Sequence, residues 1–282
     1  MTHCDRPRPG RLTVAGALLV AGLLAAGCSS PPEDAAPADP HGFAVPGQPT
    51  SAASGAPEGE PQPDPAEASA TEAPAARADQ RAVGAAAERA ASFGFTHQVT
   101  ATDAEIDRTR EETRLRQTNS SGTTVDPAGC KAPLTAVDWS PILVPGADAS
   151  RLDFGSEGFA GTGSIEVAAL EDPAVLERHL ANVERLVEQC PELRMTVTDE
   201  NLQESSYDLT ARTPDADGEG VESSLVWTRT PAGGGDETTA QVLIGRAGDH
   251  VAMVSFIGRP EVAGDEFTTM AEEVLAAALG TL

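Results

Sequence analysis

The four cysteines of this 282-residue chain are the side chains whose chemistry the sequence constrains most. A thiol can carry a lipid, form a disulfide or bind a metal ion. Zinc sites usually combine ligands at close spacing, such as Cys-x-x-Cys. No such pair occurs here, and the five histidines are scattered. We therefore expect no metal site and no cofactor, and we consider the cysteines for lipidation and disulfide formation.

Cys28 follows a segment that is typical of exported proteins. Three arginines between residues 6 and 11 precede an uncharged stretch from Leu12 to Gly27, which ends in small residues. This order is the layout of a secretory signal peptide. Because a Cys comes directly after the small residues, the segment is similar to a bacterial lipobox, in which the chain is cut before that Cys and the new N-terminus carries lipid. We predict a lipoprotein signal peptide over 1–27 and lipidation of Cys28 at the outer face of the cytoplasmic membrane. The alternative is a plainly secreted protein.

Cys130 and Cys190 are the cysteines left in the exported domain, because Cys4 is lost with the signal. In an oxidising compartment two such thiols usually pair. We predict a disulfide between Cys130 and Cys190. The alternative is two separate buried thiols.

Trp139 is the side chain that we single out for ligand binding. It lies in a Val-Asp-Trp-Ser-Pro segment soon after Cys130, where its ring could line a groove. Core packing is the leading interpretation of Trp139, and contact with a ligand is the alternative. Trp227 lies in a predicted strand, and we assign it to the core.

No catalytic residue is assigned. The chain has no Gly-x-Ser-x-Gly and no glycine-rich phosphate or dinucleotide motif. His97, His179 and His250 have no partner that the sequence reveals. Residues 215–219 resemble half a calcium loop, but the position of the essential final Glu holds Val226, so a hairpin turn is the better interpretation.

Composition divides the rest of the chain into three parts. Residues 28–77 are rich in Pro, Ala and acid and cannot bury enough apolar surface to order, so we predict a disordered tether. Residues 78–101 read as a linker or weak helix, and 102–282 as the folded domain. The sequence leaves open whether 78–117 packs on that domain.

The predicted fold is α+β, with an antiparallel β-meander sheet, helices packed mainly on one face and one disulfide. A helix after Pro173 places apolar residues at spacings of three and four up to Cys190. A second helix is predicted from about Asp265 to Leu279. Turn residues separate successive strand candidates, which favours a meander. These candidates are Ser164–Leu170, Glu192–Thr198, Ser205–Thr213, Val221–Thr230, Thr238–Ile244 and His250–Gly258.

The order of these features resembles an actinobacterial family. A lipobox, a tether, a Pro-x-x-Cys segment that ends at Cys130, a helix ending in Cys190, a meander and a closing helix follow one another. This layout is similar to the extracellular sensor domains named for the outer domain of the PknH-type serine/threonine kinase, over about 102–282. The resemblance implies an α/β sandwich with a central antiparallel sheet and a cleft for an unidentified ligand, and it implies no catalytic residues.

The charge of the chain restricts its partners. With 44 acidic and 19 basic residues its net charge is −25, which disfavours binding to nucleic acid or to anionic headgroups. Contact with the membrane is therefore expected through the lipid. The leading hypothesis is a non-catalytic binding or sensor module for a small molecule or cell-envelope component. The alternatives are an envelope hydrolase with an acid-based site and a protein-interaction module for a membrane partner.

Overall fold

The computed structural model describes residues 76–119, 122–198 and 203–282. The helices are α1 Ala78–Ser92, α2 Asp103–Asn119, α3 Lys131–Leu134, α4 Ala174–Gln189 and α5 Asp265–Leu279. The strands are β1 His97–Thr100, β2 Thr124–Asp126, β3 Ala149–Gly155, β4 Gly161–Ala169, β5 Glu192–Thr198, β6 Glu204–Arg212, β7 Val221–Pro231, β8 Thr238–Ala247 and β9 His250–Gly258. Within these ranges, none of the helices combines the length and apolar character needed to cross a bilayer.

One nine-stranded antiparallel sheet contains all of these strands, in the order β1-β3-β4-β9-β8-β7-β6-β5-β2. Strands β5 to β9 are neighbours both in the chain and in the sheet, as the turn residues between them predict. Strand β9 also pairs with β4, from Gly161 opposite Gly258 to Ala169 opposite His250. It therefore joins the β3–β4 hairpin to the meander.

Helices cover both faces of the sheet. Ala252, Val254 and Phe256 of β9 pack with α1 and α5, whereas Val251 and Met253 pack on the opposite side with α4. The α+β class, the antiparallel sheet and the disulfide are confirmed. The placement of the helices differs from the expectation of one mainly covered face. The physical reason is visible in β9, because both alternating sets of its side chains are apolar and each requires cover.

Helix α1 packs against α5 and the sheet, which answers the question that the sequence left open for this region. Its small side chains let it approach closely, and its first turn is tied to β3 by a hydrogen bond of 2.8 Å that Ser150 donates to Asp79. Its buried apolar residues are Ala82, Val83, Ala86, Ala87 and Ala90.

Helix α2 is held by few contacts. Thr102 caps its start, and the Glu105 carboxylate accepts the Thr102 backbone N–H at 2.8 Å. Ile106 is its buried apolar residue. The Arg110 guanidinium then donates to the carbonyls of Ile142 and Ala147 at 2.6 and 2.8 Å. The hydrogen bonds of Arg110 thus supplement the apolar contact of Ile106 in holding α2.

A disulfide joins Cys130 and Cys190, with 5.7 Å between their Cα atoms. Both cysteines are buried in the core formed by α3, α4 and strands β5 to β7. The bond fixes the C-terminal end of α4 to the turn that precedes α3. The predicted pairing is confirmed.

Candidate functional site

An open groove lies between helix α4 and the beginning of strand β7, and we call it the α4 groove. Its volume is about 560 Å³. Leu180, Val183, Val187 and Val221 give it an apolar floor, and glutamates and hydroxyl groups complete the lining. A mixture of apolar surface and a few polar groups is typical of ligand sites.

Helix α4 forms this groove because its apolar face is wider than its contact with the sheet. Leu176, Val183 and Leu186 are buried against the core. Leu180 and Val187 lie at the margin of the same face, are half-buried and line the groove. One amphipathic stripe therefore supplies both the core and the groove.

The other wall of the α4 groove includes a strand edge that has no partner strand. Strand β6 pairs with β7 only from Arg212 opposite Val226 onwards. The earlier residues of β7, Val221–Leu225, pair with β8 on one side alone within the described part of the chain. Val221 to Ser224 line the groove, so the unpaired edge borders it.

Four glutamates make the α4 groove acidic. Glu177 and Glu222 share Arg246, whose guanidinium lies 3.2 and 3.1 Å from their carboxylates. The charge of Glu222 and hydrogen bonds to both glutamates raise the pKa of Arg246. Glu184 and Glu188 line the same groove, and among the described residues neither forms an ion pair. The groove therefore favours a ligand that carries positive charge.

Trp139 lies on the other flank of α4, stacked on His179. The two rings are 4.0 Å apart between centroids, with 14° between their planes. His179 is 5% exposed, and neither ring nitrogen has a hydrogen-bond partner among the described residues. Burial lowers the pKa of His179 to about 4. Trp139 does not line the α4 groove, and ligand contact by Trp139 stays a prediction. Trp227 is buried in the core, as predicted.

His179 should make the protein less stable as the pH falls from about 7 to about 5. The pKa of His179 is 6.5 in the unfolded chain and about 4 in the folded one, so in this range only the unfolded state takes up the proton. The linked loss is about 2 kcal/mol. Urea denaturation at both pH values measures it. His179→Phe keeps a stacked ring without the proton site, and its stability should fall by about 2 kcal/mol less over this range. Equal losses in both proteins would contradict the assignment.

A buried ionic cluster lies on the same face of the sheet, outside the α4 groove. The Arg151 guanidinium is 2.7 Å from the Glu166 carboxylate and 2.7 Å from that of Asp153. Ser140 donates a hydrogen bond to Glu166, which is 2% exposed. Burial raises the pKa of Glu166, and the positive charge of Arg151 opposes that rise. Ser140 and Arg151 shield the Glu166 carboxyl from solvent, so we assign it a structural role and not contact with a ligand.

The other residues that the sequence singles out lie at separate places in the fold. Residues 215–219 lie in the loop between β6 and β7, where Gly218 donates to the Glu272 carboxylate of α5 at 2.7 Å. His97 lies in the edge strand β1, and the His250 ring contacts the Asp249 carboxylate at 2.7 Å. No group of three potential metal ligands occurs in the described ranges. Cys28 lies outside the described residues, as does nearly all of the tether.

No protein-family model matches the chain, and no curated protein matches it. Among the solved structures that match is the crystal structure of the extracellular domain of PknH from Mycobacterium tuberculosis, with 17% sequence identity. The match covers 68% of this chain and 89% of that chain, at a TM-score of 0.35. A likeness at this TM-score carries no argument about ligand, partner or activity.

Proposed function

We propose that this chain is a lipid-anchored, extracytoplasmic binding module without a catalytic step of its own. The observation that carries the proposal is the α4 groove, an accessible cavity of about 560 Å³ with an apolar floor and an acidic rim. Its size suits a small molecule or a side group of a cell-envelope component. Its charge favours a ligand that bears an amine or a guanidinium group.

The position of Glu166 favours binding over hydrolysis. A hydrolase of the acid-base type needs proton-transfer groups that meet at an accessible site. Glu166 is the described carboxyl whose pKa is raised, but it is enclosed by Ser140 and Arg151 and does not line the groove. The described carboxyl with a raised pKa is therefore separate from the α4 groove.

The disulfide and the N-terminal sequence support the proposed location. Disulfides persist in oxidising compartments, and both halves of this one are buried in the core. The signal-like segment before Cys28 supplies a route out of the cytoplasm and a site for lipid. Two or three acyl chains anchor firmly, since each buried methylene contributes about 0.8 kcal/mol.

Cys28→Ala should move the protein from the membrane fraction to the soluble fraction, because it removes the thiol that would carry lipid. Fractionation followed by immunoblotting measures the change. Cys4→Ala is the matched control, since it removes a cysteine that is expected to be lost with the signal segment, and it should leave the protein with the membrane. Retention of the Cys28→Ala protein in the membrane fraction would contradict lipid anchoring through Cys28.

Ala181→Trp should abolish ligand binding, because an indole at this exposed position of α4 would project into the groove and obstruct it. Native mass spectrometry of the exported protein would detect a co-purified ligand as added mass on the wild type and as no added mass on the variant. Arg178→Trp places the same ring on an exposed part of α4 outside the groove, and it should keep the ligand. A ligand retained by Ala181→Trp would place the binding site elsewhere.

A further inference from the structure

The unpaired edge of β7 and the acidic rim of α4 face one cavity. We infer that the α4 groove receives an extended segment of a partner protein that carries lysine or arginine, and that this segment adds as a strand to the edge of β7 at residues 222–225. This inference deepens the proposed function and rests on it.

The main chain of β7 provides the first argument. Strand β6 ends at Arg212, opposite Val226, so residues 222–225 of β7 have no strand partner on that side among the described residues. The N–H of Val221 is already donated to the Gly218 carbonyl in the preceding turn. A strand edge presents alternating N–H and C=O groups that pair readily with an extended peptide. The cavity lies beside these residues, since Val221, Ser223 and Ser224 line it. An incoming segment would continue the sheet where β6 stops.

The side chains of α4 provide the second argument. Glu184 and Glu188 are one helical turn apart and form no ion pair within the described ranges, so they present two unneutralised acids in a row along the groove. Residues at this spacing lie about 5–6 Å apart. Alternate residues of a strand lie about 7 Å apart. Basic side chains at every second position of an added strand would therefore meet the two glutamates in turn.

Apolar surface provides the third argument. Leu180, Val183 and Val187 line the same groove as the glutamates and the strand edge. The methylene stems of lysine and arginine cover such surface while their charged ends reach a polar rim. The groove thus matches both parts of a long basic side chain.

The chain itself does not supply this segment. Residues 28–76 contain acids and no lysine or arginine, so the tether would be repelled by the groove. The arginines of residues 103–119 lie in helix α2, which is not extended. A second copy therefore offers no extended basic strand from these regions, and the charge points to a different protein.

The test uses the full-length lipidated chain in detergent micelles and an eight-residue peptide in which lysine and valine alternate. Titration calorimetry should detect binding that weakens as salt rises. Glu184→Lys together with Glu188→Lys should weaken the affinity by about tenfold or more at low salt. Glu171→Lys together with Glu192→Lys makes the same charge change on exposed acids outside the groove, and it should alter the affinity by less than about twofold.

Two further probes test strand addition itself. Amide hydrogen exchange of residues 222–224 should slow when the lysine–valine peptide is bound. A peptide of the same sequence with methyl groups on alternate main-chain nitrogens keeps its charge but loses donors, so it should bind at least about tenfold more weakly. Equal binding of the methylated peptide, or of a glutamate–valine peptide, would overturn the inference. A co-purified ligand that Ala181→Trp removes, with no binding of the lysine–valine peptide, would overturn the inference alone and leave the proposed function standing.

Discussion

Replacement of Cys130 and Cys190 together by alanine should lower the free energy of unfolding by about 4 kcal/mol. The two residues are separated by 60 positions, so the bond closes a large loop and lowers the conformational entropy of the unfolded chain. It also fixes the end of α4, which forms one wall of the groove. Urea denaturation monitored by circular dichroism, with the double variant and the oxidised wild type side by side, measures the difference.

The reduced wild type provides the control for this experiment. Treatment with dithiothreitol breaks the same bond without changing a side chain, so its midpoint should fall nearly as far as that of the double variant. Thiol labelling before and after unfolding reports whether the bond was intact. A double variant as stable as the oxidised wild type would show that the bond does not constrain the unfolded chain.

Arg151→Met should destabilise the protein by about 3–5 kcal/mol, the usual result of leaving a buried charge without its partner. Arg151 is the cation of the buried ionic cluster, and Glu166 cannot reach water to compensate. The stability that Arg151→Met loses relative to the wild type should become smaller as the pH falls towards about 5. Without Arg151 the pKa of Glu166 rises further above its unfolded value, so the folded state takes up a proton that the unfolded state does not.

Two variants separate this effect from general disruption. Arg151→Met with Glu166→Leu removes both charges and should recover part of the lost stability. Arg194→Met breaks an ion pair with Asp208 of similar geometry, but that pair is exposed to solvent and should matter little. Equal losses for Arg151→Met and Arg194→Met would contradict the special role of the buried cluster.

Much of the fold could be predicted because its later elements follow simple periodicities. Strands β5 and β9 and helix α5 have the predicted bounds, since turn residues and apolar spacing mark their ends. The sequence does not mark strand β3, because Arg151 and Asp153 are residue types that usually face solvent. They are tolerated in the partly buried strand because the Arg151 guanidinium donates hydrogen bonds to the carboxylates of Asp153 and Glu166 and neutralises their charge. Strand β1 was missed because all four of its residues are exposed, so no apolar pattern marks it.

The candidate site was much harder to predict. Trp139 stays a predicted ligand contact, and it lies apart from the α4 groove, stacked on His179. One signal was present, because α4 has more apolar residues than one line of contact requires, and Leu180 and Val187 are the surplus. The free edge of β7 had no such signal. It depends on where β6 stops relative to β7, and that register is a property of the assembled sheet.

The place of β9 in the sheet determines the order in which the domain can be completed. Strands β3 and β4 are synthesised early, but the edge of β4 opposite β3 pairs with β9, about ninety residues later in the chain. The β5 to β8 meander can form by local contacts, while the early hairpin and α1 must wait for the last strand and for α5. A chain still emerging from a ribosome therefore cannot close its core. For a protein proposed to cross a membrane through its signal segment, β3, β4 and α1 would lack their sheet and helix partners until β9 and α5 had followed them across.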